Sequence, residues 1–378
     1  MKHILIDGTT LSRKTDGLTQ YSLSIVLELL KNTVDRYTLI HRKDEIPSNY
    51  IPQLQAFSGR LDLEPVNISP IGPKRDLQFY RWFKKNKKRF DEFYEPSAQY
   101  PFGVSGGIYT VHDILYEKYP EKLGKYSFIK KWYLHHVVNR GVKKAREVIA
   151  VSQFTKDELC KIHGKKYETK IQVIYEGYEH LTTVKINKEN PLVKKLIDNY
   201  SPYFLYIGSS RGHKNLCNLF LAFEKSSVTW YLLVVGRMDR LTDDEKDLVK
   251  RINTPQEKII FTGWIDDSQM YTILSNAAAF VFPSKSEGFG IPILESWYFN
   301  VPLLCSDIAV FNEVAGDACI KFNPFDTDSM AEVLKSFSEC SAAEKIRLIE
   351  LQDKKLTSYS WKKAAIQIAA LLRGETIV

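Results

Sequence analysis

Cysteine is scarce in this chain: five in 378 residues, dispersed as Cys160, Cys217, Cys305, Cys319 and Cys340. None form a close metal-ligand pair, and the odd count fits reduced thiols rather than a disulfide framework. Long apolar runs are missing too. None approaches the ~20 residues of a membrane span, and the opening MKHILIDG has no apolar stretch of the secretory kind. The chain is therefore expected to be cytoplasmic, free or peripheral on the inner face of the cytoplasmic membrane. Helix-turn-helix, zinc and aromatic RNA-binding signatures are absent as well, so nucleic acid is not an expected partner.

Acidic residues are missing from one region, Lys122 to Arg146. Residues 1–180 hold 30 Lys and Arg against 21 Asp and Glu, and the remainder 23 against 24, so the net charge of +8 belongs to the first half. The densest basic stretch, KRDLQFYRWFKKNKKRF (74–90), sets Lys84, Lys85, Lys87 and Lys88 among Phe79, Tyr80, Trp82 and Phe83. An anionic membrane surface or acidic partner is one reading of it. A solvated helix face is the other.

Hydrophobic content of 44% and charged content of 26% are globular values, and the length suggests two domains. Short apolar runs alternate with amphipathic stretches. Strands are expected at 3–7, 106–111, 148–152, 171–175, 203–208, 230–236, 258–263, 278–283 and 301–306. Helices are expected at 18–30, 154–162 with Ser152 as N-cap, 214–225, 242–252, 266–276 and 292–299. The alternation predicts an α/β protein of two doubly wound, Rossmann-like parallel-sheet domains. A polar linker is expected near 180–200, and the ligand in a cleft outside the carboxyl ends of the strands.

The stretch VFPSKSEGFGIPILES (281–296) carries the most chemistry. Gly288 and Gly290 allow a sharp turn and close backbone approach to a ligand. Pro292 suits the start of a helix, whose N–H groups and dipole form an anion site. Glu295, expected in the first helical turn, could accept from a ribose diol beside a bound phosphate. Glu287, in the loop, could face a sugar. The blander reading has Glu295 complementing the helix dipole and Glu287 in solvent.

This stretch closely resembles the signature of the retaining glycosyltransferases of the GT-B fold, family 4. The resemblance extends through YFLYIGSSRGHKNLCNLFLAF (203–223), IIFTGWIDDSQMYTILSNAAAFVFPS (259–284), VPLLCSDIAVFNEVAGDACIKFNPFD (301–326), REVIAVSQFTKDEL (146–159) and YSWKKAA (359–365). It implies an acceptor-binding domain over 1–185, a donor-binding domain over 186–358, and a final helix, 359–378, that crosses back to the first domain. The implied activity is retaining, metal-independent transfer of a hexose, with mannose favoured, from a nucleoside diphosphate sugar to a glycan or lipid-linked glycan in envelope polysaccharide synthesis. A nucleotide-sugar epimerase and a non-catalytic sugar-binding relative are the alternatives.

The resemblance puts Glu295 on the donor ribose and Glu287 on the donor sugar. The backbone of Gly288, Phe289, Gly290 and Ile291 then faces phosphates or sugar. Lys214, at the start of its helix, neutralises the leaving diphosphate. The family's usual arginine is replaced by His213, and either His213 or Arg211 takes its role. Gly17 resembles the glycine whose loop approaches the phosphates, and its plain reading is a helix-entry glycine. Gly208 joins the donor-binding set, Gly263 and Trp264 flank the base, and His112 lies near the transferred sugar. No metal or other cofactor is expected: Asp326 and Asp328 of the Asp-Thr-Asp motif read as a helix cap.

Overall fold

A computed structural model describes residues 1–14, 16–97, 99–118, 127–236 and 241–377. It divides into two compact units, Met1–Gly177 with the residues from Tyr359 on, and Tyr178–Ser358.

The first unit is built on seven strands: β1 (His3–Gly8), β2 (Arg36–His41), β3 (Leu61–Pro65), β4 (Glu92–Glu95), β5 (Ile108–Val111), β6 (Glu147–Ala150) and β7 (Ile171–Val173). They pair in parallel in the order β3-β2-β1-β4-β5-β6-β7. Ile4, Leu5 and Ile6 are buried because helices cover both faces of the sheet. Asp16 caps the helix Gly17–Asn32 by accepting from the Thr19 N–H, and Ser152 caps Gln153–His163 through the Thr155 N–H. The last helix, Trp361–Arg373, packs on Gly17–Asn32, with the Trp361 and Tyr21 rings edge to face at 5.6 Å. Lys2 and Arg146 donate to the carbonyls of Leu372 and Leu371 near its end.

Strand order reverses between β1 and β4. There Arg75, from the first turn of the helix Pro73–Asn86, is wholly buried. It donates to Asp7 at 2.7 Å, to Glu95 at 3.0 Å and to the Gln99 carbonyl at 2.6 Å. Burial, and then the neighbouring Asp7, push the Glu95 carboxyl well above its usual range against the pull of Arg75. One member of the basic stretch is therefore an internal pin. Its aromatics are largely internal too: Phe79 is buried and stacks on Phe83 at 5.8 Å, and Trp82 stacks on Phe90 at 6.3 Å. Lys84, Lys85, Lys87 and Lys88 are left exposed.

The second unit has six parallel strands: β8 (Tyr203–Ile207), β9 (Tyr231–Val235), β10 (Ile259–Gly263), β11 (Ala279–Phe282), β12 (Leu303–Ser306) and β13 (Ile320–Phe322). Their order is β10-β9-β8-β11-β12-β13, with the reversal between β8 and β11. Its core gathers Phe204, Leu219, Phe223, Leu232, Val281 and Leu334. The stretch 180–200 is not a plain linker. Asn190 accepts from the N–H groups of Leu192 and Val193, Pro191 begins the helix Pro191–Tyr200, and Val193 and Leu196 are buried. Its cap and paired apolar positions outweigh its polar composition.

Candidate donor-binding site

The two strands that flank the reversal in the second unit, β8 and β11, each feed a loop at their carboxyl ends. Such a switch point is where doubly wound sheets hold ligands. The β8 loop ends in a single 3-10 turn, Gly212–Lys214, and Asn215 follows in the left-handed conformation at φ 61° before the helix Leu216–Ser226. Lys214 thus precedes its helix and does not begin it. A left-handed Asn breaks the continuous helix expected from 214, because Asn tolerates that conformation better than most residues.

The β11 loop carries Glu287 to Lys214, with Lys214 Nζ 2.8 Å from Glu287 Oε1. The Lys285 N–H donates to the His213 carbonyl at 2.7 Å and ties the two loops together. Lys214 also lies 5.3 Å from the Phe282 ring centroid. The side chain of Glu287 keeps only 13% of its exposure. Burial by itself would push this carboxyl up. The charge and hydrogen bond of Lys214 outweigh it, with smaller help from Ser284 and His213, and hold the carboxyl below its ordinary value. Glu287 is therefore neither solvated nor neutral. Arg211 is exposed and makes no ion pair among the described residues, whereas His213 is buried.

Gly290 adopts φ 102° and precedes the helix Ile291–Tyr298, with Pro292 in its first turn. A Cβ on Gly290 would lie 3.0 Å from the Phe311 ring and crowd it, and the positive φ favours glycine on conformational grounds. Phe289 and Ile291 are buried. Glu295 lies in the second turn of the helix, not the first, and is only 8% exposed. It is not a dipole-complementing surface acid. Its Oε1 accepts from the Tyr271 hydroxyl at 2.9 Å and lies 3.6 Å from His180 Nε2.

Three glycines end three adjacent strands: Gly208 after β8, Gly236 after β9 and Gly263 closing β10. The Gly208 N–H donates to the Val235 carbonyl, and a Cβ on Gly236 would collide with the Gly208 carbonyl at 1.9 Å. Trp264, beside Gly263, is 67% exposed. Gly236, Tyr271 and His180 are absent from the sequence reading. Gly236 ends an apolar strand just as Gly208 does, and that parallel was the available signal. Tyr271 and His180 carried none, since they meet Glu295 from distant segments. Asp326 accepts from the N–H groups of Asp328 and Ser329 and caps the helix Thr327–Glu339.

In the first unit, His112 follows β5. Its Nε2 is 2.7 Å from the Pro96 carbonyl, which can only accept, so Nε2 carries a proton; Nδ1 faces Glu176 at 3.5 Å. The ring also meets Tyr21 edge on at 4.5 Å. Gly17 is the first residue of its helix, with open space where a Cβ would stand. No helix among the described residues is long and apolar enough to cross a membrane.

Comparison with known proteins bears on both units. Residues 57–180 match the family model Glycosyltransferase Family 4, and residues 187–354 match Glycosyl transferases group 1. The O-antigen chain mannosyltransferase RfbU of Salmonella typhimurium is 32% identical over 235 residues, 61% of this chain and 60% of that protein. O-antigen chain mannosyltransferase B of Escherichia coli is 24% identical over 369 residues, 93% of this chain and 94% of that one. Among solved structures, a sucrose-phosphate synthase from Thermosynechococcus elongatus has a TM-score of 0.75 at 17% identity, covering 99% of each chain. WaaG, a glycosyltransferase involved in lipopolysaccharide biosynthesis, has a TM-score of 0.71 at 15% identity, covering 98% of this chain and 100% of its own. The chain therefore carries a Glycosyltransferase Family 4 domain followed by a Glycosyl transferases group 1 domain, and has the GT-B fold.

Proposed function

We propose that the protein transfers a mannosyl residue, with retention of anomeric configuration, from a nucleoside diphosphate sugar, GDP-mannose first, to a glycan or lipid-linked glycan in O-antigen assembly. The observation that carries this reading is the Lys214–Glu287 pair beside the glycine-started helix at the switch point of the second unit. The names of the Salmonella and Escherichia coli relatives support mannose as the sugar.

The diphosphate docks at the start of Ile291–Tyr298, where helix dipole and backbone amides favour an anion. Lys214 turns from Glu287 to the phosphates, and Arg211 supplies the second cation. Together they stabilise the negative charge that grows on the diphosphate as the glycosidic bond breaks, without need of a divalent ion. Glu287, released from Lys214, faces the sugar as positive charge develops at its anomeric carbon. A departing phosphate oxygen takes the acceptor's proton. His112 orients the sugar or acceptor. The exposed Lys84, Lys85, Lys87 and Lys88 hold the enzyme to an anionic membrane surface where a lipid-linked acceptor resides.

Thermal shift with GDP, UDP and ADP tests the donor, because a ligand of the folded state raises the melting temperature. GDP should give the largest shift, and GDP-mannose with a lipid-linked acceptor should yield a glycosylated product. Donor turnover to an epimer without acceptor would overturn the transferase reading.

A further inference from the structure

We infer that Tyr271 is a positioning residue for nucleotide recognition, fixing the Glu295 carboxylate so that the site selects ribose over deoxyribose. The inference rests on the donor reading above. Tyr271 stands on the helix Asp267–Leu274, whose start is held by a reciprocal capping box between Asp266 and Gln269. Its ring is buried and packs on Phe299 at 5.5 Å between centroids. The hydroxyl therefore points from a fixed frame. It donates to Glu295 Oε1 at 2.9 Å, and His180 Nε2 approaches the same oxygen to 3.6 Å. Among the described residues no hydrogen bond reaches Oε2.

A glutamate side chain otherwise has several rotamers to lose on binding. Here the protein orders the carboxylate in advance, and preorganisation of this kind increases affinity without adding a ligand contact. With one oxygen engaged by the Tyr271 hydroxyl, the other is the one left to a ligand. A carboxylate accepts only, so the ligand must bring hydroxyl donors. A sugar lacking them leaves a largely buried charge poorly solvated, and such sites reject the deoxy analogue strongly.

The test is isothermal titration of the intact protein with GDP, UDP and ADP and with their 2′,3′-dideoxy forms. For the tightest-binding base, wild type should prefer the ribose form by about 10-fold or more. Tyr271→Phe keeps the ring against Phe299; its preference should fall to about 3-fold or less while the dideoxy form binds nearly as before. Tyr271→Met provides a second variant without the hydroxyl and should behave likewise. A preference that stays at the wild-type ratio in either folded variant overturns the role of Tyr271 and leaves the donor reading standing. A wild type that binds no nucleotide, or binds both forms equally, overturns the donor reading and this inference with it.

Discussion

Glu287 and Lys214 hold each other in a mostly buried ion pair, and Lys214 keeps the Glu287 carboxyl below its ordinary value against the effect of burial. Removing the cation strands a carboxylate in a place that burial alone makes unfavourable. Lys214→Met should therefore lower stability by about 1–3 kcal/mol in urea unfolding. It should also cut kcat by roughly 10²–10³-fold, the cost typical of losing one fixed stabiliser of a transition-state charge. Glu287→Gln should lower kcat more than it raises the donor KM, because the proposed contact with the sugar strengthens only as charge develops. Full turnover in Glu287→Gln would remove that carboxylate from the chemistry. His163 shows the opposite electrostatics. Burial, and then the electrostatic effect of neighbouring His135, lower its pKa to about 4, against the pull of Glu117. Its pKa is thus depressed relative to the unfolded chain. Stability present above about pH 6.5 is lost as pH falls toward 4, since only the unfolded state takes up the proton. The ring is partly exposed, so screening reduces the loss to about 1–2 kcal/mol. Unfolding at pH 7 and pH 4.5 should show a smaller drop for His163→Phe than for wild type, and equal drops would refute the assignment.

At the scale of elements, the switch-point loop depends on one backbone conformation. Gly290→Ala puts a Cβ at φ 102° and against Phe311. The substitution should cost about 1–3 kcal/mol in thermal unfolding and weaken nucleotide binding by displacing the start of its helix; unchanged binding would move the anion site elsewhere. The helix Pro73–Asn86 makes its own prediction. With Arg75 buried on Asp7 and Glu95, its outer end presents lysines, not aromatics. Changing Lys84, Lys85, Lys87 and Lys88 to Gln should abolish salt-sensitive binding to phosphatidylglycerol vesicles, and binding that survives would discard the membrane role. Much of this frame was legible in advance. Apolar runs such as YFLYI and AFVF announce buried parallel strands, and Ser152 and Asp326 announce the caps they form. What periodicity did not reveal were breaks that depend on single conformations: the left-handed Asn215 after Lys214, and the second-turn place of Glu295. Nor could it pair Tyr271 or His180 with Glu295, since only the folded second unit brings those segments together.

For the whole molecule, charge and chemistry are divided between two sheets. The basic excess lies in the first unit, with its exposed lysines, and the residues proposed to bind the nucleotide lie in the second. This division suits the proposed transfer, with a lipid-linked acceptor met by the first unit and a soluble donor by the second. The central claim is that a nucleoside diphosphate sugar docks at the switch point of the second unit. A crystal structure with GDP-mannose, or with the base that thermal shift selects, tests it most directly. The account predicts phosphates at the start of Ile291–Tyr298 within hydrogen-bonding reach of Lys214, the ribose diol on Glu295, and the hexose beside Glu287. A nucleotide bound anywhere else, with that helix start unoccupied and Lys214 still paired to Glu287, would contradict it.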